Sequence, residues 1–182
     1  MIENGLWVFG YGSLIWQPEF PYAKKHTATL TGYARSFCMW SIHHRGTLET
    51  PGLVLALDKQ TGAECHGVAF FVAPEAAAQT LADLRARELI SAAYLEVSHP
   101  VMLDTGEKVE ALCYVVDPDH VQYCGGLSLE HQAEIIATAK GGRGPNTDYL
   151  FNTCKGIDAL GLQDGDLAFL KRRVAELTAS AP

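Results

Sequence analysis

Strand-forming runs crowd the first two thirds of this sequence, and the turns between them restrict how they can pair. Leu6-Trp-Val-Phe9 is a short buried-type run that ends at Gly10. Thr27–Cys38 is rich in Thr, Tyr and Phe, with apolar and polar residues loosely alternating. Leu53–Leu57 and Cys65–Val72 are separated by Asp58-Lys-Gln-Thr-Gly62, a hairpin-type turn. Val97–Leu103 and Val109–Val116 flank Asp104-Thr-Gly106-Glu in the same way. Helical periodicity comes between and after these runs. Pro74 suits the first position of an Ala-rich helix running to about Ile90. Ser128 suits the N-cap of a helix over Leu129–Lys140 that stops at Gly141-Gly142. Pro145–Leu160 and Leu167–Leu177 complete the set, the latter with Leu167, Leu170, Val174 and Leu177 on one stripe. Strands first, with helices inserted and appended, predict an α+β fold rather than a doubly wound one. A closed or nearly closed sheet is the expected architecture.

The chain has 182 residues and neither linker, repeat nor low-complexity tract, so residues 1–182 are expected to form a single domain. That length buries enough apolar surface to need no disulfide or metal staple. Its 5 cysteines, Cys38, Cys65, Cys113, Cys124 and Cys154, are odd in number and never form a C-x-x-C pair, which speaks against a disulfide framework. Met1-Ile-Glu-Asn-Gly5 carries an acidic residue where a signal peptide would carry Lys or Arg. No uncharged apolar run approaches the roughly 18–20 residues that span a bilayer. A cytoplasmic protein without a membrane segment is expected. The formal charge of −7, with dispersed basic residues, argues against nucleic acid or an anionic membrane as partner.

Val8-Phe-Gly10-Tyr-Gly12-Ser-Leu14 leaves a strand through a turn whose glycines permit unusual backbone angles and close ligand approach. Successive N–H groups in such a turn can cradle an anion. Known motifs do not fit: Ile15 occupies the third glycine position of G-x-G-x-x-G, and Tyr11 and Ile15 flank Ser13 where a nucleophile elbow needs glycine. A plain strand-ending turn stays open as a reading. Leu81, Leu84 and Glu88 share one helical stripe, which puts a carboxylate beside apolar residues and near a helix C-terminus. Both influences raise a carboxylate pKa, as a general base near neutral pH requires. Arg85 and Arg87 leave open an ordinary ion pair instead. His43-His44-Arg45 and Cys65-His66 place neighbours on opposite faces of a strand, so no metal site is expected. No residue pattern calls for a cofactor. Cysteine–histidine nucleophilic chemistry has no activated cysteine to support it, although partners distant in sequence keep it open.

Val8-Phe-Gly-Tyr-Gly-Ser-Leu-Ile-Trp16, Gly32-Tyr-Ala-Arg35-Ser-Phe-Cys38, Arg45-Gly-Thr47 with Pro51-Gly52, Arg87-Glu88 with Tyr94, and Gly144-Pro-Asn-Thr-Asp-Tyr149-Leu follow one another in order. Together they resemble the ChaC-type γ-glutamylcyclotransferase family from about residue 6 to 175. The resemblance implies a small mixed β-barrel with flanking helices. It implies a carbon–nitrogen lyase that cyclises the γ-glutamyl group of glutathione to 5-oxoproline and releases cysteinylglycine. It makes Glu88 the acid/base residue, and Val8, Phe9, Gly10, Tyr11, Gly12, Ser13 and Leu14 the cradle of the γ-glutamyl group. Tyr94 and Tyr149 fall where the family has site tyrosines. Arg35 or Arg45 is expected to meet the substrate's glycine carboxylate, since the chain's acidity opposes an anionic substrate and recognition must come from local donors. The stretch after Glu88, Leu-Ile-Ser-Ala-Ala-Tyr94, lacks the glycines some members carry. A non-catalytic γ-glutamyl-binding regulator of cation transport is the alternative.

Overall fold

The computed structural model describes residues 3–89 and 92–179, which form two compact units. Met1–Arg35 with Ala56–Val121 makes the first, and Ser36–Leu55 with Gln122–Pro182 the second. Ile90, the expected end of the first helix, and Ser91, in the stretch after Glu88, lie outside the described residues, as do Met1 and Ile2.

The first unit carries a closed barrel. Its strands are β1 (Leu6–Gly10), β2 (Lys24–Ser41), β3 (Gly52–Val72), β4 (Tyr94–Leu103) and β5 (Lys108–Val116), in the order β1-β3-β2-β4-β5, with Ser36–Ser41 of β2 and Gly52–Leu55 of β3 counted in the second unit. Among the described residues, closure leaves the barrel itself without an open edge strand. The expected hairpin at Asp104–Gly106 joins β4 and β5, which pair antiparallel from Tyr94↔Val116 to Met102↔Lys108, and Gly106 takes φ +84° at its tip. β1 runs antiparallel to β3 but parallel to β5, so the sheet is mixed as expected.

The other expected hairpin takes a less regular form. Leu53–Leu57 and Cys65–Val72 belong to one continuous extended segment, β3. Leu57 pairs parallel with β5, whereas Val68–Val72 pair antiparallel with β1, itself parallel to β5. The chain therefore reverses between Leu57 and Val68. Residues 59–62 are exposed there, and Gly62 has φ +80°, the left-handed backbone that glycine adopts without steric cost. Both faces of β1 and of the second arm of β3 are largely buried: Val8, Phe9, Val68, Ala69, Phe70 and Val72 are all fully enclosed.

α1 (Pro74–Glu88) belongs to this unit, with Pro74 in its first turn as the sequence indicates. The second unit holds α2 (Leu129–Thr138), α3 (Asn146–Ala159) and α4 (Gly165–Ala179), packed against one another. Ser128 caps α2 by accepting from the His131 N–H. The helix stops before the expected Lys140, because Lys140-Gly141 (β6) leave it to pair with Gly144-Pro145 (β7). On α4 the predicted stripe buries Leu167, Leu170 and Val174, while Leu177 is half-buried. Ala133 and Ile136 of α2 and Leu150 and Ile157 of α3 complete this core.

Candidate active site

β1 delivers the chain into the glycine turn, where a single 3-10 turn, Ser13–Ile15, forms. Val8 and Phe9, expected to line the cradle, are fully buried, backbone included, and pair with Phe70 and Ala69 of β3. Neither turn glycine adopts a left-handed backbone; Gly12 has φ −130°. Gly10 serves close packing instead, since a Cβ there would lie 3.1 Å from Leu14 Cβ and 3.2 Å from the Phe70 ring. The unusual angles expected of the turn are met at Gly12, whose ψ of −123° lies outside the extended and helical regions, whereas Gly10 is needed for packing. The hydrogen bonds that close the turn begin at the N–H of Ile15, which reaches the Gly12 carbonyl at 3.0 Å. Ser13 and Leu14 come before that bond, and the first N–H groups of a helical turn have no partner within it.

Tyr11 is locked at both ends. Its hydroxyl donates to the Tyr114 carbonyl at 2.9 Å, and its own carbonyl accepts from Arg35 Nη1 at 3.0 Å. The same Nη1 also donates to the His66 carbonyl at 2.9 Å, and Arg35 is buried. Arg35→Met leaves both carbonyls without this donor; charge-assisted bonds of this kind contribute about 1.5–3 kcal/mol each. Denaturant unfolding is expected to show a loss of about 3 kcal/mol, and a loss below a third of that would relegate Arg35 to a spectator.

Glu88 ends α1. Ala77, Thr80 and Leu84 are the helix's buried residues, and Glu88 continues their stripe one turn on, with its side chain 16% exposed. Half-exposed Leu81 shows the stripe centred slightly away from the predicted one. Arg87 Nε lies 3.3 Å from Glu88 Oε1, so the ion pair weighed in the sequence exists. Arg87 does more than pair: its Nη2 donates to Ser13 Oγ at 3.0 Å, and its Nη1 donates to the Gln17 carbonyl and to Glu19 Oε2, both at 3.0 Å. Arg85 points elsewhere, making a fork with Glu96 at 2.7 and 2.9 Å.

Glu96 stands directly across from Tyr114 in the β4–β5 ladder, and the Tyr114 hydroxyl donates to it at 3.2 Å. The Arg85 fork holds the Glu96 carboxyl below the usual carboxylate range. Burial pushes the Tyr114 phenol up, and the negative charges of Glu96 and Glu88 push it further. Tyr114 is thus a neutral donor set among carboxylates. Tyr94, half-buried at the start of β4, pairs with Val116 and shares the face of Glu96 by two-residue alternation.

Arg45 and Tyr149 lie in the second unit and meet there, the guanidinium 5.7 Å from the ring centroid. Arg45 Nη1 donates to the carbonyls of Arg143 and Pro145 at 2.8 and 3.1 Å, and desolvation lowers its pKa. Phe37 meets the Tyr149 ring edge-on at 6.0 Å. The structure therefore brings Ser13 and Glu88 together through Arg87, and pairs Arg45 with Tyr149. The sequence reading missed Arg87 as a bridge and Tyr114 altogether. Arg87 carried one signal, a cation adjoining the key carboxylate. Tyr114 carried none, because an apolar strand hides one hydroxyl.

Among the described residues, no group of three or more His, Cys, Asp or Glu is placed to hold a metal ion, and no helix is long and apolar enough to cross a membrane. The family model described as ChaC-like protein matches residues 6–177. The glutathione-specific γ-glutamylcyclotransferase of Escherichia coli K12 is 37% identical over 177 residues, covering 97% of this chain and 76% of the relative. The protein of the same name from Schizosaccharomyces pombe is 36% identical, with 91% and 89% covered. A human relative, glutathione-specific γ-glutamylcyclotransferase 1, is 32% identical, with 90% and 74% covered. A crystal structure described as a γ-glutamyl cyclotransferase specific to glutathione from yeast superposes with a TM-score of 0.86 over 95% of this chain and 96% of that one, at 24% identity, a likeness of fold.

Proposed function

The chain belongs to the ChaC-like family, and on that premise we propose that it degrades glutathione, cyclising the γ-glutamyl group to 5-oxoproline and releasing cysteinylglycine. The unbroken family match over residues 6–177 supports reading the chain as one γ-glutamylcyclotransferase-like domain. The observation that carries the mechanism is the convergence on Arg87 of the glycine turn, through Ser13 at 3.0 Å, and of Glu88, at 3.3 Å.

Glutathione contains both reactants. Its α-amine attacks its own γ-carbonyl, forming the lactam C–N bond as the bond to the cysteine nitrogen breaks. The α-amine is largely protonated at neutral pH, so a base must first take a proton. Glu88 accepts it, and returns a proton to the departing nitrogen. Products together have the atoms of the substrate, and no water enters. Holding the chain in attack geometry supplies most of the acceleration, since effective molarities of about 10⁵–10⁸ M are reached in well-oriented cyclisations. The N–H groups of Ser13 and Leu14 serve as donors to the substrate's carboxylate or to the developing oxyanion.

Incubating the purified protein with glutathione and following 5-oxoproline by mass spectrometry tests this. Tight binding without turnover would favour the regulatory alternative. γ-Glutamyl dipeptides that lack the cysteinylglycine half measure how strictly glutathione is required.

A cysteine nucleophile finds no support. Cys38, Cys65, Cys113 and Cys154 are buried, and burial pushes the thiols of Cys113 and Cys124 up to about 12. Such thiols are not thiolates at neutral pH. Cys124→Ser, at the half-buried position, is expected to retain at least about half of wild-type turnover; loss of all activity would reopen cysteine chemistry.

A further inference from the structure

We infer that Arg87 is a positioning residue that fixes the glycine turn in register with Glu88, so that the two halves of the site are set by one guanidinium. The inference rests on the proposed function for its catalytic consequence, although the tie itself is a feature of the fold.

Three of its side-chain nitrogens are directed to three different ends. Nη2 takes Ser13 Oγ, at the first residue of the 3-10 turn, and Nη1 takes the Gln17 carbonyl, just past its last. Nε faces Glu88 Oε1 at 3.3 Å. The turn is thus gripped on both sides by a group that adjoins the carboxylate in sequence and in space. Nη1 also takes Glu19 Oε2, and Glu19 has φ +59°, a left-handed conformation that costs a non-glycine residue energy. The Gln17 side-chain amide donates to the same Glu19 carboxylate. A strained residue whose side chain closes the clamp is what a device for holding loop geometry requires. The Arg87 side chain is only 16% exposed, so its contacts with Ser13, Gln17 and Glu88 are little screened by solvent, whereas Glu19 is 54% exposed.

Cyclisation is a reaction limited by geometry, and a displacement of about 1 Å from a change outside the chemistry costs on the order of 100-fold. Lysine keeps the charge but presents a single nitrogen that cannot hold Ser13, Gln17 and Glu88 together.

Arg87→Gln is expected to lower kcat for glutathione about 100-fold while KM changes much less. Arg87→Lys is expected to lose at least tenfold in kcat, and adding Ser13→Ala to Arg87→Gln to cost little more, because both remove the same tie. Hydrogen exchange read by mass spectrometry is expected to speed up at Ile15–Gln17 in Arg87→Gln and to stay unchanged along β4 and β5. Wild-type kcat in Arg87→Lys, a loss confined to KM, or unaltered exchange at Ile15–Gln17 would each overturn the inference. A wild-type protein that releases no 5-oxoproline defeats the proposed function instead, and the exchange measurement then judges the tie by itself.

Discussion

Glu88→Gln is expected to abolish 5-oxoproline release from glutathione, with turnover down about 1000-fold, within the 10²–10⁴ range that a positioned acid/base supplies. The substitution keeps the shape of the side chain and an oxygen that can still accept from Arg87 Nε. It removes the capacity to take a proton from the substrate's ammonium group. The fold should therefore survive, with an unchanged circular dichroism spectrum and thermal midpoint, while chemistry stops. Glutathione binding should persist within a few-fold, because the turn donors are untouched. Product formation at the wild-type rate would remove Glu88 from the mechanism. Glu96 is already engaged by the Arg85 fork and by Tyr114, and its proton affinity is depressed, so it is a poor substitute base.

The largest effect on stability is expected at Asn146. It is fully buried at the first turn of α3 and bonds the backbone of Leu53 twice: its Oδ1 accepts from the Leu53 N–H at 2.7 Å and its Nδ2 donates to the Leu53 carbonyl at 2.8 Å. Leu53 is itself fully buried, so no solvent replaces those partners. A Cβ at neighbouring Gly52 would lie 2.7 Å from Asn146 Oδ1, which explains why this approach needs glycine. Asn146→Leu strands a buried donor and a buried acceptor, each costing about 1–3 kcal/mol. Guanidinium unfolding should show about 3–4 kcal/mol lost on that basis. A loss under 1 kcal/mol would mean that the backbone rearranges to pair itself. The Gly144–Leu150 motif would thus owe part of its pattern to folding as well as to the site.

Much of the architecture was legible in the residues. Alternation and turn chemistry marked the barrel strands, because a strand's two faces and a turn's glycine are dictated locally. Asp104–Gly106 did this so clearly that the β4–β5 register follows from the turn. Ser128 and Pro74 announced helix starts for the same reason, a cap or first-turn residue being satisfied by its own neighbours. Helix ends were read less well: α2 stops short of Lys140 because pairing between Lys140-Gly141 and Gly144-Pro145 outweighs continuation. The site divides along the same line. Glu88 stood out because a carboxylate on an apolar stripe is a one-dimensional anomaly, and the ordered motifs identified the family.

What the sequence alone determined is the list of chemically able groups and the strands and helices that carry them. What only the tertiary structure decided is which of those groups meet. That Arg87 reaches back to Ser13, that Tyr11 is pinned to the backbone of Tyr114, and that Asn146 is spent on Leu53 depend on contacts between residues 74, 103 and 93 positions apart. No local propensity encodes such pairs. They form because burial removes water and leaves each polar group to find its partner within the fold.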